Sequence, residues 1–241
     1  MPYDQIESHL KGWDEVFAQR PWGRYPPEEL VRCMGRRFAG VADKSTIRVL
    51  DIGCGPGANI WFLAREGYEI AAIDGAPTAI RQAHERLSAE GLIGPGREAD
   101  LQVGNFARLP WPDGTFDAVT DIESISMNCC DVVEDALRQA HRVLKPGGMF
   151  FSKMFSRKTT GYDPKTEIEP GTMRDPKDGP CAGFGHVHFF AETELRERLS
   201  EFADLNLDWV KRSDMDGAWT VQLSGWSQQR NSPPQAQPRY H

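Results

Sequence analysis

Between residues 46 and 155 the chain alternates short apolar runs with longer amphipathic stretches. IRVLDI (47–52), EIAAID (69–74), DLQVGN (100–105), FDAVTDIES (116–124) and MFFSKMF (149–155) read as strands. ANIWFLAREG (58–67), PTAIRQAHERLSAE (77–90) and VVEDALRQAHRVL (132–144) read as helices, the second with Pro77 in its first turn, where no amide donor is needed. KPGG (145–148) reads as the turn into the last of these strands. Strands separated by helices at this spacing predict a parallel, doubly wound sheet.

The flanks have a different texture. In PPEELVRCMGRRF, Leu30, Val31, Met34 and Phe38 share one helical face. Residues 156–185 are rich in Gly, Pro, Lys and Asp, lack periodicity and read as one long connection. AETELRERLSEF (191–202) has the pattern of an amphipathic helix. LDWVKRS (207–213) and AWTVQLSGW (218–226) read as strands joined through DMDG. The tail from 227 to 241 has no apolar pattern and is expected to be flexible.

Composition narrows the function classes. Against 28 Lys and Arg stand 35 Asp and Glu, a net charge of −7 over 241 residues. That balance speaks against a protein that grips nucleic acid by neutralising phosphates. No apolar run approaches 18 residues, so no membrane span is expected. The opening residues, MPYDQIESHLKGWDE, lack the basic start and apolar run of a secretory leader. Five cysteines without a CxxC pair predict reduced, inert thiols and no metal site. A cytoplasmic location follows as an expectation.

The chemistry centres on Val49-Leu50-Asp51-Ile52-Gly53-Cys54-Gly55-Pro56-Gly57, a strand running into a glycine turn that opens a helix. Such a turn lets a ligand approach the backbone and offers it a helix N-terminus. Asp74, 21 residues past Gly53 at the end of the next strand, is placed to accept from ribose hydroxyls. Gly53-x-Gly55-x-x-Ala58 also satisfies the dinucleotide pattern, so a nicotinamide enzyme competes. Asp51 and the GxGxG spacing through Gly57 speak against it, because a carboxylate there suits a cation better than a pyrophosphate.

VLDIGCGPG, IDGAP, LQVGNFARLPWPDGTFDAV and LRQAHRVLKPGGMFF, in this order, resemble the motif series of class I S-adenosylmethionine-dependent methyltransferases. The resemblance is close over 46–155 and looser over 186–226. It implies a seven-strand, mostly parallel Rossmann-like α/β sheet with a reversed last strand and helices on both faces. It also implies a helical cap over 1–45, a methyltransferase domain over 46–226 and a lid-like connection over 156–190. S-adenosylmethionine would be the cofactor and S-adenosylhomocysteine its product. By resemblance, Gly53, Gly55 and Gly57 approach the methionine part. Asp51 anchors the loop or meets the cofactor's amino group. Asp74 takes the ribose, and Asn105 and Phe106 flank the adenine. Asn105 departs from the family pattern, which often has Asp there.

The acceptor is expected beyond the carboxyl ends of the strands. Asp121 and Glu123, at the end of the fourth strand, are candidates for proton acceptance or acceptor positioning; otherwise they satisfy local backbone. His188 is a candidate base and His186 a candidate acceptor contact, with a buried structural histidine as the competing reading. Trp22, Arg24 and Tyr25 could wall the pocket from the cap, or pack the cap on the sheet. Arg32, Arg36 and Arg37 read as a solvated face. The reading is methyl transfer to an oxygen or nitrogen of a small-molecule acceptor, without nucleic acid or membrane. A methyltransferase of protein or RNA, an NAD-dependent oxidoreductase and a non-catalytic cofactor binder remain alternatives. Oligomeric state is not legible.

Overall fold

In the computed structural model, which describes residues 3–213 and 219–229, two helices lead the chain: α1 (Tyr3–Gln19) and α2 (Glu28–Arg37). Then come β1 (Arg48–Ile52), α3 (Ala58–Glu66), β2 (Glu69–Asp74), α4 (Pro77–Ala89), β3 (Asp100–Val103), β4 (Phe116–Ile122), α5 (Cys130–Val143) and β5 (Leu144–Phe155). Three short strands follow, β6 (Glu167–Glu169), β7 (Thr172–Arg174) and β8 (His186–His188). Helix α6 (Glu192–Arg198) leads into the long strands β9 (Phe202–Ser213) and β10 (Trp219–Gln229).

The main sheet has the order β3-β2-β1-β4-β5-β10-β9, and only β10 runs antiparallel to its neighbours. This is the seven-strand sheet with one reversed strand that the motif series implied. Successive residues of a strand point to opposite faces, and both faces are covered. Val49, Ala72, Ala118 and Phe151 pack against Leu30, Met34, Ile60 and Leu63 of α2 and α3. Leu50, Ile73, Val119 and Phe150 pack against Val133, Leu137 and Leu195 of α5 and α6. The chain winds outward from β1 to β3, then returns to the other side of β1 as β4. The crevice above β1 and β4 is therefore the switch point where such sheets bind ligands.

The N-terminal segment lies over that crevice. Helix α1 packs on α4 through Phe17, Ala76 and Ala79. It is pinned by the Thr78 amide donating to Asp14 (2.7 Å) and by Gln82 Nε2 donating to the Phe17 carbonyl (3.0 Å).

The connection differs from the sequence reading. Residues 156–185 are not one unstructured link: β6 and β7 lie within them, and with β8 they build a three-stranded antiparallel sheet. Strands of three residues are too short to show a period. KPGG is no simple turn either; it lies within β5, where the pairing with β4 shifts register between Phe116 and Ala118. Strand β10 runs three residues beyond the strand expected to end at 226. The DMDG segment and the tail from 230 lie outside the described residues. No helix among the described residues is long and apolar enough to cross a membrane.

Candidate functional site

The β1–α3 loop is shaped by close approaches within the protein. Gly53 has φ 63°, and a Cβ there would fall 2.3 Å from Cβ of Ser124. The Ser124 hydroxyl uses that proximity to donate to the Gly53 carbonyl at 2.8 Å. At Gly57 (φ 91°) a Cβ would sit 3.0 Å from Ala83 of α4, so this glycine serves helix packing. Above Gly55 the nearest atoms are ring carbons of Phe17 and Trp22.

Two buried carboxylates hold the loop. Asp51 accepts from Thr120 Oγ1 (2.6 Å) and from Asn59 Nδ2 (3.2 and 3.3 Å), tying β1 to β4 and to the first turn of α3. Burial pushes its pKa up to about 7, against the Thr120 and Asn59 hydrogen bonds, and the charges of Asp121 and Asp74 add to the rise. It faces the protein interior and does not border the crevice. Asp74 accepts from the Gly55 amide at Oδ2 (2.8 Å) and from the Ala76 amide at Oδ1 (2.9 Å). Burial raises its pKa as well, opposed by these two amides.

Over the loop lies a cavity of about 210 Å³. Gly53, Gly55 and Asp74 border its floor, and Phe106, Glu123 and Met127 its side. Its roof is aromatic: Trp13, Phe17, Trp22 and Tyr25, all from the N-terminal segment. Trp22 stands edge-on to Phe17 (5.1 Å, 83°) and to Trp13 (6.0 Å, 88°). Trp13 stacks on Phe184 at 5.3 Å, so the 156–190 connection meets the cap here. His9 also borders the cavity, accepting from Trp13 Nε1 (3.3 Å). Its pKa is lowered by burial, against a hydrogen bond to the Met127 backbone.

The other residues singled out from sequence are dispersed. Asn105 Oδ1 accepts from the Ala107 amide at 2.8 Å, shaping the loop that presents Phe106. Asp121 is fully buried beneath the cavity and accepts from the amides of Ser124 and Ile125 (both 3.0 Å) and from Ser152 Oγ (2.6 Å). Burial pushes its pKa up to about 7, against those hydrogen bonds. His188 is buried elsewhere, between Thr172 Oγ1 (2.7 Å) and Glu194 Oε1 (2.7 Å). His186 meets Arg174 (3.2 Å) on a neighbouring groove that it shares with His9. The Arg24 guanidinium lies 3.9 Å from Glu90, outside the cavity.

The cavity also contains residues that sequence reasoning passed over. His9, Trp13 and Phe17 recur every four positions and so share one face of α1, a signal that was present in the sequence. Lys153 and Gln222, which contact Glu123 but do not border the cavity, carried none.

A glycine turn at the switch point, an acid ending β2 and an aromatic cover stand together in a fold of the Rossmann-like class. Residues 49–148 match a family model described as a methyltransferase domain. Malonyl-[acyl-carrier protein] O-methyltransferase of Enterobacter lignolyticus is 29% identical over 120 residues, half of this chain and 40% of the relative. The chain thus spans about two-fifths of that relative's length. The 2-heptyl-1-hydroxyquinolin-4(1H)-one methyltransferase of Mycobacteroides abscessus is 26% identical, over 83% of this chain and 76% of the relative. A solved SAM-dependent methyltransferase from Methanosarcina mazei superimposes with a TM-score of 0.63 at 26% identity, covering 76% of this chain and 92% of that one. Residues 49–148 thus resemble a methyltransferase domain, and these similarities support a class I S-adenosylmethionine-dependent methyltransferase.

Proposed function

We propose that the chain transfers a methyl group from S-adenosylmethionine to an oxygen or nitrogen of a small-molecule acceptor. The observation that carries this reading is the state of Asp74. Its two oxygens have four lone-pair sites, and the loop amides occupy only one on each oxygen. The carboxylate is thus aimed by the loop yet keeps capacity for two further donors, which suits a ribose diol. No Lys or Arg is among the residues bordering the cavity, while Asp74 and Glu123 are, so the field favours a cation such as a sulfonium.

In this reading Asp74 holds the ribose, Phe106 supplies an apolar face for the adenine, and Gly53 and Gly55 let the methionine part lie on the backbone. Asp51 and Asn105 act through the loops they brace. The bound cofactor supplies a methyl group already activated for in-line displacement. The protein's contribution is to align the acceptor, exclude water with the roof of Trp13, Phe17 and Trp22, and accept a proton if the acceptor carries one. Trp22, Tyr25 and Glu123 border the acceptor end, whereas Asp121 and His188 support the structure. No cysteine among the described residues is in a disulfide, which suits the cytoplasm.

The test is transfer of labelled methyl from S-adenosylmethionine to a panel of phenols, amines and carboxylic acids, read by mass spectrometry. Appearance of a methylated acceptor that requires the protein supports the proposal. Cofactor binding without transfer to any small molecule, combined with labelling of protein or RNA, would replace it.

A further inference from the structure

Glu123 departs from ordinary backbone behaviour at the edge of the cavity. Its φ is 67°, in the left-handed region that non-glycine residues rarely adopt. Strain of this kind persists where surrounding contacts over-determine it, and it clusters at functional sites. The contacts here are specific. The Glu123 amide donates to the Lys153 carbonyl at 2.8 Å. Gln222 Nε2 donates to Glu123 Oε1, and Lys153 Nζ lies 4.0 Å from the same oxygen. Oε2 makes no hydrogen bond among the described residues. One oxygen of this carboxylate is clamped by the protein and the other is left open, on a residue that borders the cavity.

Lys153 is 2% exposed, and a buried ammonium persists only when paired. Its second partner is Glu29 of α2, at 3.4 Å, and Glu29 also pairs with Arg212 at 3.3 Å. Two cations, Lys153 and Arg212, thus face two carboxylates, Glu123 and Glu29. The set is neutral as it stands. An acceptor that brings another negative charge to Glu123 meets repulsion and no bordering cation. A neutral acceptor that brings an O–H or N–H completes the open Oε2. The rings of Trp22 and Tyr25 border the same cavity and suit a flat partner.

We infer that Glu123 Oε2 is the centre of the acceptor subsite, that Lys153 is its positioning residue, and that the subsite takes neutral aromatic acceptors presenting an O–H or N–H while rejecting carboxylates. This rests on the methyltransferase reading. It separates the chain from its relative, the malonyl-[acyl-carrier protein] O-methyltransferase.

Calorimetry with three probes of one shape tests it: 2-naphthol, 2-methoxynaphthalene and 2-naphthoate, each titrated into protein saturated with S-adenosylhomocysteine. The wild type is expected to bind 2-naphthol about tenfold more tightly than the methyl ether, the worth of one charge-assisted hydrogen bond, and 2-naphthoate most weakly. Glu123→Gln narrows the naphthol preference to about twofold, and Lys153→Met shifts it the same way, while affinity for S-adenosylhomocysteine stays unchanged in both. Tightest binding of the naphthoate, binding of none of the three, or an unaltered preference in Glu123→Gln overturns the inference. Should Lys153→Met fail to fold, Lys153→Arg, which retains the charge with a longer reach, must still prefer 2-naphthol. Failure of the wild type to bind S-adenosylhomocysteine would instead strike the underlying reading.

Discussion

Gly55 and Asp74 are joined by a hydrogen bond of 2.8 Å from the amide of one to Oδ2 of the other. It links the glycine loop after β1 to the end of β2, so the protein's own atoms join the site's two sequence motifs into one unit. The same carboxylate caps the Ala76 amide at the entry to α4.

Asp74→Ala should therefore weaken the fold as well as the site. It leaves the Gly55 and Ala76 amides without their acceptor in a buried place. The expected loss is about 2 kcal/mol in the absence of ligand, because orphaned buried donors cost about 1–3 kcal/mol and relief of a buried carboxylate offsets part of it. Urea unfolding of the ligand-free protein measures it. An unchanged midpoint would mean that the carboxylate does not brace the loop.

The doubly wound sheet was legible because each of its parallel strands carries its own apolar run, bounded by a turn or a helix. Gly53, Gly55 and Asp74 were legible because their spacing follows from strand and loop lengths. Asp121 and His188 were singled out for their chemistry and their place in the chain. Neither cue shows whether a side chain points into a crevice or beneath it. The pairing of Lys153 with Glu123 depends on the register of β4 against β5 and on the cap's position, which no local pattern encodes. The β6–β8 sheet escaped for a related reason: Met173 and Val187 are buried, but strands of three residues are too short to show the alternation that marks a buried face.

Gly53→Ala should destabilise by about 2–3 kcal/mol, combining a strained φ with overpacking against Ser124. Adding Ser124→Gly removes the obstructing Cβ. The double variant should then be more stable than Gly53→Ala alone, although the hydroxyl's bond to the Gly53 carbonyl is lost. Thermal unfolding of the three proteins reads this coupling. Strict additivity of the two substitutions would show that the close approach is not what requires glycine.

Asp121→Asn separates structure from catalysis. With its pKa raised from 3.8 to about 7, chiefly by burial, Asp121 binds its proton more tightly in the folded state. Its contribution is fully present below 3.8 and is lost as pH rises through about 7. The variant keeps an oxygen for the Ser124 and Ile125 amides and lacks this loss. Its stability relative to wild type should grow between pH 4 and pH 8, by up to about 4 kcal/mol for a shift from 3.8 to about 7. Methyl transfer should stay within about threefold of wild type, because Asp121 does not border the cavity. A rate loss of a hundredfold would return Asp121 to a catalytic role.

Glu194 gives the opposite pH sign. Burial works against its charge, but the hydrogen bond and charge of His188, and those of Arg198, outweigh burial and hold it at about 2 against an ordinary 4.5. Its contribution is present above 4.5 and lost as pH falls through about 2. Glu194→Gln should cost about 2 kcal/mol at neutral pH and flatten the acid limb of the stability curve. Affinity for S-adenosylhomocysteine should not change, since neither Glu194 nor His188 borders the cavity. Circular dichroism melts across pH 2–6 provide the check.

The central claim is that Asp74 and the glycine loop bind an adenosyl sulfonium cofactor. Calorimetry with S-adenosylmethionine, S-adenosylhomocysteine and NAD, on wild type and Asp74→Ala, tests it most directly. The account predicts low-micromolar binding of the first two, weakened about a hundredfold in the variant through the lost charged acceptor, and no binding of NAD. Binding of NAD alone, or equal binding of S-adenosylhomocysteine by both proteins, would contradict it.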